Sequence, residues 1–79
     1  MIEINNFSKI SLKNKELIEK SKKCGCYYCL KIFESKEIKK WTDEKNTAIC
    51  PYCGIDSVVG DNSVNITPEI LAEANKYWF

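Results

Sequence analysis

Cys26-Tyr27-Tyr28-Cys29 and Cys50-Pro51-Tyr52-Cys53 are two Cys-x-x-Cys pairs separated by the twenty residues Leu30 to Ile49. A pair, a spacer of roughly fifteen to twenty residues and a second pair is the spacing of a zinc site. Four thiolates suit Zn²⁺, which takes a tetrahedral all-sulfur shell and has no ligand-field preference. The two-residue gap has a mechanical reason. Both thiolates of a pair must point inward from a tight turn whose backbone amides face the sulfurs. Pro51 presets the dihedral for such a turn, and Gly54 can supply the positive φ that closes it. The pattern therefore reads as one tetrathiolate metal site made by Cys26, Cys29, Cys50 and Cys53. Without a metal, two reduced pairs would leave so short a chain little to hold it together.

The chain has 79 residues, which predicts one domain of a size where a hydrophobic core is marginal and a staple is usual. Five cysteines raise the alternative of a disulfide scaffold. The odd count and the metal-site spacing argue against it. So does the start Met1-Ile2-Glu3-Ile4-Asn5-Asn6, which has neither a basic leader nor an apolar run. No stretch approaches the roughly eighteen apolar residues of a membrane span. The expectation is a reduced, cytoplasmic protein.

The formal net charge of +1 hides an uneven distribution. Residues 1–41 carry ten Lys and five acids, hence +5; residues 42–79 carry two Lys and six acids, hence −4. Four thiolates with Zn²⁺ add about −2 relative to neutral thiols. All twelve cationic side chains are Lys, and there is no His. Arg is the usual bidentate reader of guanine and phosphate, so its absence counts against specific nucleic-acid binding. The absence of His removes His general bases and Cys–His nucleophilic pairs.

Along the chain, Ile2 and Ile4 alternate as in a short strand, while Phe7 and Ile10 fit a helical step, so the first six residues stay open. Ser11 is placed to cap a helix over about Leu12 to Lys22, with Leu17 and Ile18 on its apolar face. Lys22 and Lys23 would end that helix and complement its dipole. Leu30-Lys31-Ile32-Phe33 reads as a strand leaving the first knuckle, with Phe33 against the site. Ser35 would cap a short helix, Lys36 to Trp41. Asp43-Glu44-Lys45-Asn46 is a turn. Thr47–Ile49 and Ile55–Val59 are expected to form the hairpin that presents the second pair of thiolates. Gly60 to Ser63 is a loop. Thr67 as N-cap, Pro68 at N1 and Glu69 in the first turn open the best-signed helix, running to about Tyr77. Ile70, Leu71, Ala74, Tyr77 and Trp78 share its apolar face.

At the knuckles, "CYYCLKIF" and "CPYCG" resemble the knuckles of zinc-ribbon and rubredoxin-like domains. The longer string "CGCYYCLKIF…EIKKW…TAICPYCGIDSVVG", covering Cys24 to Gly60, with the terminal "YWF", is similar to a group of short bacterial cytoplasmic proteins of unknown function. The resemblance implies a zinc-ribbon-like core and carries no catalytic residue across. Rubredoxins usually have Gly after both pairs; Leu30 after Cys29 is a departure that favours zinc over iron.

The expected fold is a small α+β zinc ribbon, with two knuckles on short antiparallel strands between N- and C-terminal helices. Residues 1–23 form a helical arm, 24–60 the tetrathiolate core, and 61–79 a loop and the last helix. One structural Zn²⁺ is expected in a closed shell, which leaves no open position for catalysis. Cys24 reads as a spare thiol outside the shell, although Lys22 and Lys23 nearby could lower its pKa. Asp56 and Ser57 suit an Asx-type turn or a hydroxyl facing a thiolate. Tyr77-Trp78-Phe79 is expected to fold back on Trp41, Phe33 and the ribbon. Tyr27, Tyr28 and Tyr52 occupy knuckle positions that often face out. With Lys22, Lys23 and Lys31 on the rim they make a surface for a protein partner or a second copy. The leading function is therefore a non-catalytic adaptor. The alternatives are a nucleic-acid-binding ribbon and a rubredoxin-like electron carrier.

Overall fold

A computed structural model describes residues 4–42 and 44–79. Ile2, half of the N-terminal alternation, and Asp43, first residue of the expected turn, lie outside them. The described residues form a small α+β fold. Strand β1 (Lys23–Cys26) is the centre of an antiparallel sheet, with β2 (Ile32–Glu34) on one side and β5 (Val58–Gly60) on the other. A second, two-stranded sheet pairs β3 (Trp41–Thr42) with β4 (Thr47–Ala48). Helices α1 (Phe7–Ser11), α2 (Lys15–Glu19) and α3 (Pro68–Trp78) complete the fold.

Successive side chains of a strand point to opposite faces, and paired residues share a face. In β1, Cys24 is paired with Phe33 and Gly60, Gly25 with Ile32 and Val59, and Cys26 with Val58. Cys24, Cys26, Phe33 and Val58 accordingly enter one core, together with Ile18, Ile38, Ala48 and Cys50. Val59 enters the other, with Phe7, Tyr27, Val64, Ile66, Leu71 and Ala74. The sheet is thus covered on both faces, which explains why Cys24-Gly25-Cys26 shows no polar alternation. Gly25 sits where α3 closes on the strand. A Cβ there would lie 2.8 Å from Leu71 Cδ1 and 3.2 Å from Ile66 Cγ2.

The last helix forms as its signals dictate. Thr67 Oγ1 accepts the Ile70 N–H at 3.2 Å, and Pro68 occupies the first turn. Leu71 and Ala74 are buried and Ile70 packs beside them, but Tyr77 and Trp78 remain exposed. The apolar face is therefore shorter than its pattern.

Three expected elements are built differently. The helix over Leu12 to Lys22 is broken. Ser11 ends α1 instead of capping a helix, Leu12 is extended, and Lys13 takes φ +49°. Tertiary hydrogen bonds override helix propensity here. The Lys13 N–H goes to Thr47 Oγ1 at 2.8 Å, and the Lys15 N–H to the Asn46 carbonyl at 3.0 Å. Lys22 and Lys23 consequently end no helix; Lys23 begins β1. After Glu34 the chain makes one 3₁₀ turn, Ser35–Glu37, closed by a reciprocal capping box between Glu34 and Glu37. It then extends, because Ile38 is buried and the Lys40 carbonyl accepts the Ile49 N–H at 3.0 Å. Trp41 so falls in β3 and not in a helix. The hairpin expected around the second knuckle is also absent among the described residues. Its two arms part company, β4 to β3 and β5 to β1. Val58 and Val59 are both fully buried, and a central sheet with two covered faces is the place that buries both.

One side chain ties the two sheets together. Asn14, only 1% exposed, donates from Nδ2 to the Val58 carbonyl at 2.8 Å and accepts the Ala48 N–H at Oδ1 at 3.2 Å. A neutral amide supplies donor and acceptor at once, which a carboxylate does not.

Candidate metal centre

The two knuckles follow the same backbone path. Leu30 N–H donates to the Cys26 carbonyl at 2.9 Å, and Gly54 N–H to the Cys50 carbonyl at 3.1 Å. Cys26 N–H donates to the Lys31 carbonyl and Cys50 N–H to the Ile55 carbonyl, each at 3.0 Å. Tyr28 N–H faces Cys26 Sγ and Tyr52 N–H faces Cys50 Sγ, each at 3.4 Å. Both turns close through a left-handed residue, Leu30 at φ +67° and Gly54 at φ +77°. Leu30 thus adopts the conformation that glycine would, and the amides reach the first pair as they reach the second. The departure at this position accordingly does not discriminate zinc from iron.

The turns bring the four sulfurs of Cys26, Cys29, Cys50 and Cys53 within 4.8 Å of one another. The close pairs cross between knuckles, Cys26 to Cys53 and Cys29 to Cys50, each at 3.6 Å. Four sulfurs at about 2.3 Å from a tetrahedral ion lie about 3.8 Å apart, whereas a disulfide needs about 2.05 Å. The donor set therefore fits a metal ion, and none of the five cysteines is in a disulfide. Zinc and iron both accept this set.

Cys26 and Cys50 are buried; Cys29 and Cys53 are half-buried. Burial pushes the Cys29 and Cys53 thiols up, reinforced by neighbouring sulfurs and partly offset by the Lys31 and Ile55 amides. Burial acts the same way on Cys50, but the Cys53 and Tyr52 amides and the adjacent thiols hold it below the ordinary value. A dication at their centre would take the protons from all four. Ser57, buried four residues beyond Cys53, places Oγ 3.1 Å from Cys26 Sγ and can donate to the thiolate. The corresponding residue after Cys29 is Phe33, which packs in the same core as Cys26 and Cys50. Asp56 stays exposed.

Cys24 lies outside the four-sulfur group. It is fully buried, and desolvation, reinforced by the Asp61 carboxylate, pushes its thiol up to about 12. Lys22 and Lys23 therefore do not activate it. Their ammonium groups are exposed, and it is their backbone N–H groups that bind Asp61, at 3.1 and 3.3 Å.

Of the three tyrosines expected at the surface, one is not there. Tyr27 is 5% exposed, packs edge-on against Phe7 and shares a 3.0 Å hydrogen bond with Ser11 Oγ. It is a core residue of the helix side, because α1 and α3 close over the first knuckle. Tyr28 (47% exposed) and Tyr52 (54%) do face out, and Lys22, Lys23 and Lys31 are exposed as expected. The aromatic end of the chain folds back, but onto different partners than Trp41 and Phe33. Phe79 lies 4.8 Å from Tyr28 and 5.9 Å from Tyr27, ring centre to ring centre. Trp78 Nε1 donates to the Ile4 carbonyl at 2.9 Å.

Two asparagines escape a reading by motif. Asn75 Nδ2 donates to the Tyr27 and Tyr28 carbonyls at 3.1 and 3.0 Å, fastening α3 to the first knuckle. Asn14 joins the sheets. The only signal for Asn14 is that asparagine sits poorly inside a helical pattern and marks a break. Comparison with protein-family models, with curated proteins and with solved structures found no match to this chain. The likeness to zinc-ribbon and rubredoxin-like knuckles rests on the four-cysteine cluster.

Proposed function

We propose that Cys26, Cys29, Cys50 and Cys53 hold one structural zinc ion and that the chain is a small non-catalytic adaptor for a protein partner. The convergence of four sulfurs within 4.8 Å carries this reading. They come from two turns attached to different parts of the fold, one following β1 and one following β4. A metal there cross-links the central sheet to the β3–β4 sheet. A shell of four protein ligands leaves no position for substrate or water, which is the pattern of structural and not catalytic zinc. The adaptor reading is supported by Tyr28 and Tyr52, exposed aromatics of the kind enriched at binding hot spots. No helix among the described residues is long and apolar enough to cross a membrane.

Native mass spectrometry with elemental analysis tests the metal. The expected result is one zinc per chain and a colourless protein. A red protein with a ferric tetrathiolate spectrum would instead support the electron-carrier alternative.

A further inference from the structure

The two exposed knuckle tyrosines have different surroundings. Tyr28 is covered along one side by Phe79. Tyr52 stands among lysines. The Lys31 ammonium lies 5.5 Å from the centre of its ring. Lys39 and Lys40 line one groove with Pro51 and Tyr52; Lys36, Glu37 and Lys39 line a second, again with Pro51 and Tyr52. The ring itself is fixed. Its hydroxyl donates to Glu37 Oε1 at 2.6 Å, and Phe33 packs 5.8 Å away. Glu34 pairs with Lys36 at 3.1 Å, the one ion pair among the described residues. Lys31, Lys39 and Lys40 reach no described carboxylate, so their charge is available to a partner.

We propose that this face docks an extended acidic segment of a partner protein. Carboxylates would meet Lys31, Lys39 and Lys40, while an apolar side chain settles on the Tyr52–Pro51 surface. A pre-positioned aromatic anchor flanked by cations binds such a segment at low entropy cost. The distribution of charge on this face fits a peptide better than a nucleic-acid strand. Glu34, Glu37 and the thiolate centre place negative charge among the lysines, which a peptide can avoid by spacing its acids and a continuous phosphate backbone cannot. The proposal rests on the adaptor reading above.

The test titrates the full, metal-loaded chain against a fluorescein-labelled peptide of Glu-Leu-Asp repeats and against single-stranded oligodeoxythymidine, with metal content measured on every sample. The peptide is expected to bind and to shift the amide resonances around Lys31, Lys36, Lys39, Lys40 and Tyr52. Reversing two charges, Lys39→Glu with Lys40→Glu, should weaken binding by on the order of tenfold or more at low salt. Lys9→Glu with Lys15→Glu, exposed on α1 and α2 and lining neither groove beside Tyr52, should leave it unchanged. If the double reversal loses metal, Lys39→Ala with Lys40→Ala carries the same test with a smaller expected loss. A metal-replete chain that ignores the peptide, or whose peptide binding is untouched at Lys39 and Lys40, overturns this proposal and leaves the zinc reading standing. Tighter binding of the oligonucleotide, falling steeply with salt, overturns it in favour of a nucleic-acid ligand. A chain that takes up no metal fails the zinc reading itself.

Discussion

On one face of β1 the core consists of Phe7, Tyr27, Val59, Val64, Ile66, Leu71 and Ala74; on the other it consists of Ile18, Cys24, Cys26, Phe33, Ile38, Ala48, Cys50 and Val58. The first is an ordinary apolar core, with two aromatic rings and a helix of eleven residues laid across it. The second has three cysteines among its eight buried members, and the sheet it leans on, β3–β4, has strands of two residues. Strands so short do not persist alone. Apolar side chains close the helix side; on the other, Asn14 joins the short strands to the central sheet, and the proposed ion would add a second link.

The most damaging way to break that contrast is to remove the proposed ion. Structural zinc supplies on the order of 10–16 kcal/mol of apparent binding energy in finger peptides at neutral pH. That is as large as the whole stability of a typical domain, about 5–15 kcal/mol. Cys53→Ser, or a strong chelator, is therefore expected to collapse the amide dispersion of β3, β4 and both knuckles and to unfold the chain. An apo protein with a full native spectrum would show that the metal side stands on its own.

Striking the other face should be milder and should spare the metal. Leu71→Ala removes a fully buried side chain and is expected to cost about 2–5 kcal/mol, with one zinc per chain retained. Loss of metal together with stability would mean that the two faces are one unit. Asn14→Ala attacks the link between the sheets. It strands the Val58 carbonyl and the Ala48 N–H, at about 1–3 kcal/mol for each buried group left unpaired. Chemical denaturation measures both variants.

Cys24→Ala sharpens the contrast from within the metal side. Cys24 is buried beside the site but outside the sulfur cluster, so the variant should keep stoichiometric metal. Its cost should be about 1 kcal/mol, for a small apolar group lost. The smallest effect belongs to Tyr52→Phe. The Tyr52 hydroxyl, and then the Glu34 N–H, hold the Glu37 carboxyl below the usual carboxylate range. A depressed folded-state value contributes stability above the unfolded pKa, which is lost as pH falls through the folded value. Removing the hydroxyl should move the Glu37 carboxyl upward in a ¹³C titration, with metal content unchanged and no measurable loss of stability. A Glu37 titration curve that does not move would mean the hydroxyl is not its partner in solution.

The parts of this fold that were legible in the sequence are those fixed by local rules. Cys-x-x-Cys spacing dictates a turn, and Thr67-Pro68-Glu69 dictates a helix start; both appear where the residues put them. The site was legible for the same reason, since the bonds that close each knuckle lie within one short stretch, Cys26 to Lys31 and Cys50 to Ile55. What was not legible depends on partners far along the chain. Nothing near Thr47 reveals that it will pair with Thr42 and not with residues beyond Cys53. Nothing near Leu12 reveals that Thr47 and Asn46 will claim the amides that a helix would use. Tyr27 and Tyr28 are identical in type and adjacent, yet one is core and the other surface, because α1 and α3 arrive on only one side.

Lys13, Leu30, Glu44 and Lys45 all carry side chains on left-handed backbone, and all four are exposed. L-residues in that conformation cost roughly 1–2 kcal/mol each. Taken together this is a sizeable reserve for a chain so short, and it lies outside both buried cores. A protein engineer seeking a hardier version would begin at Leu30→Gly, which makes the two knuckles as alike in sequence as they already are in backbone. The looser unfolded chain would reclaim part of the gain. Heat tolerance in this protein can thus be raised from its surface turns, with both cores and all four sulfurs left as they are.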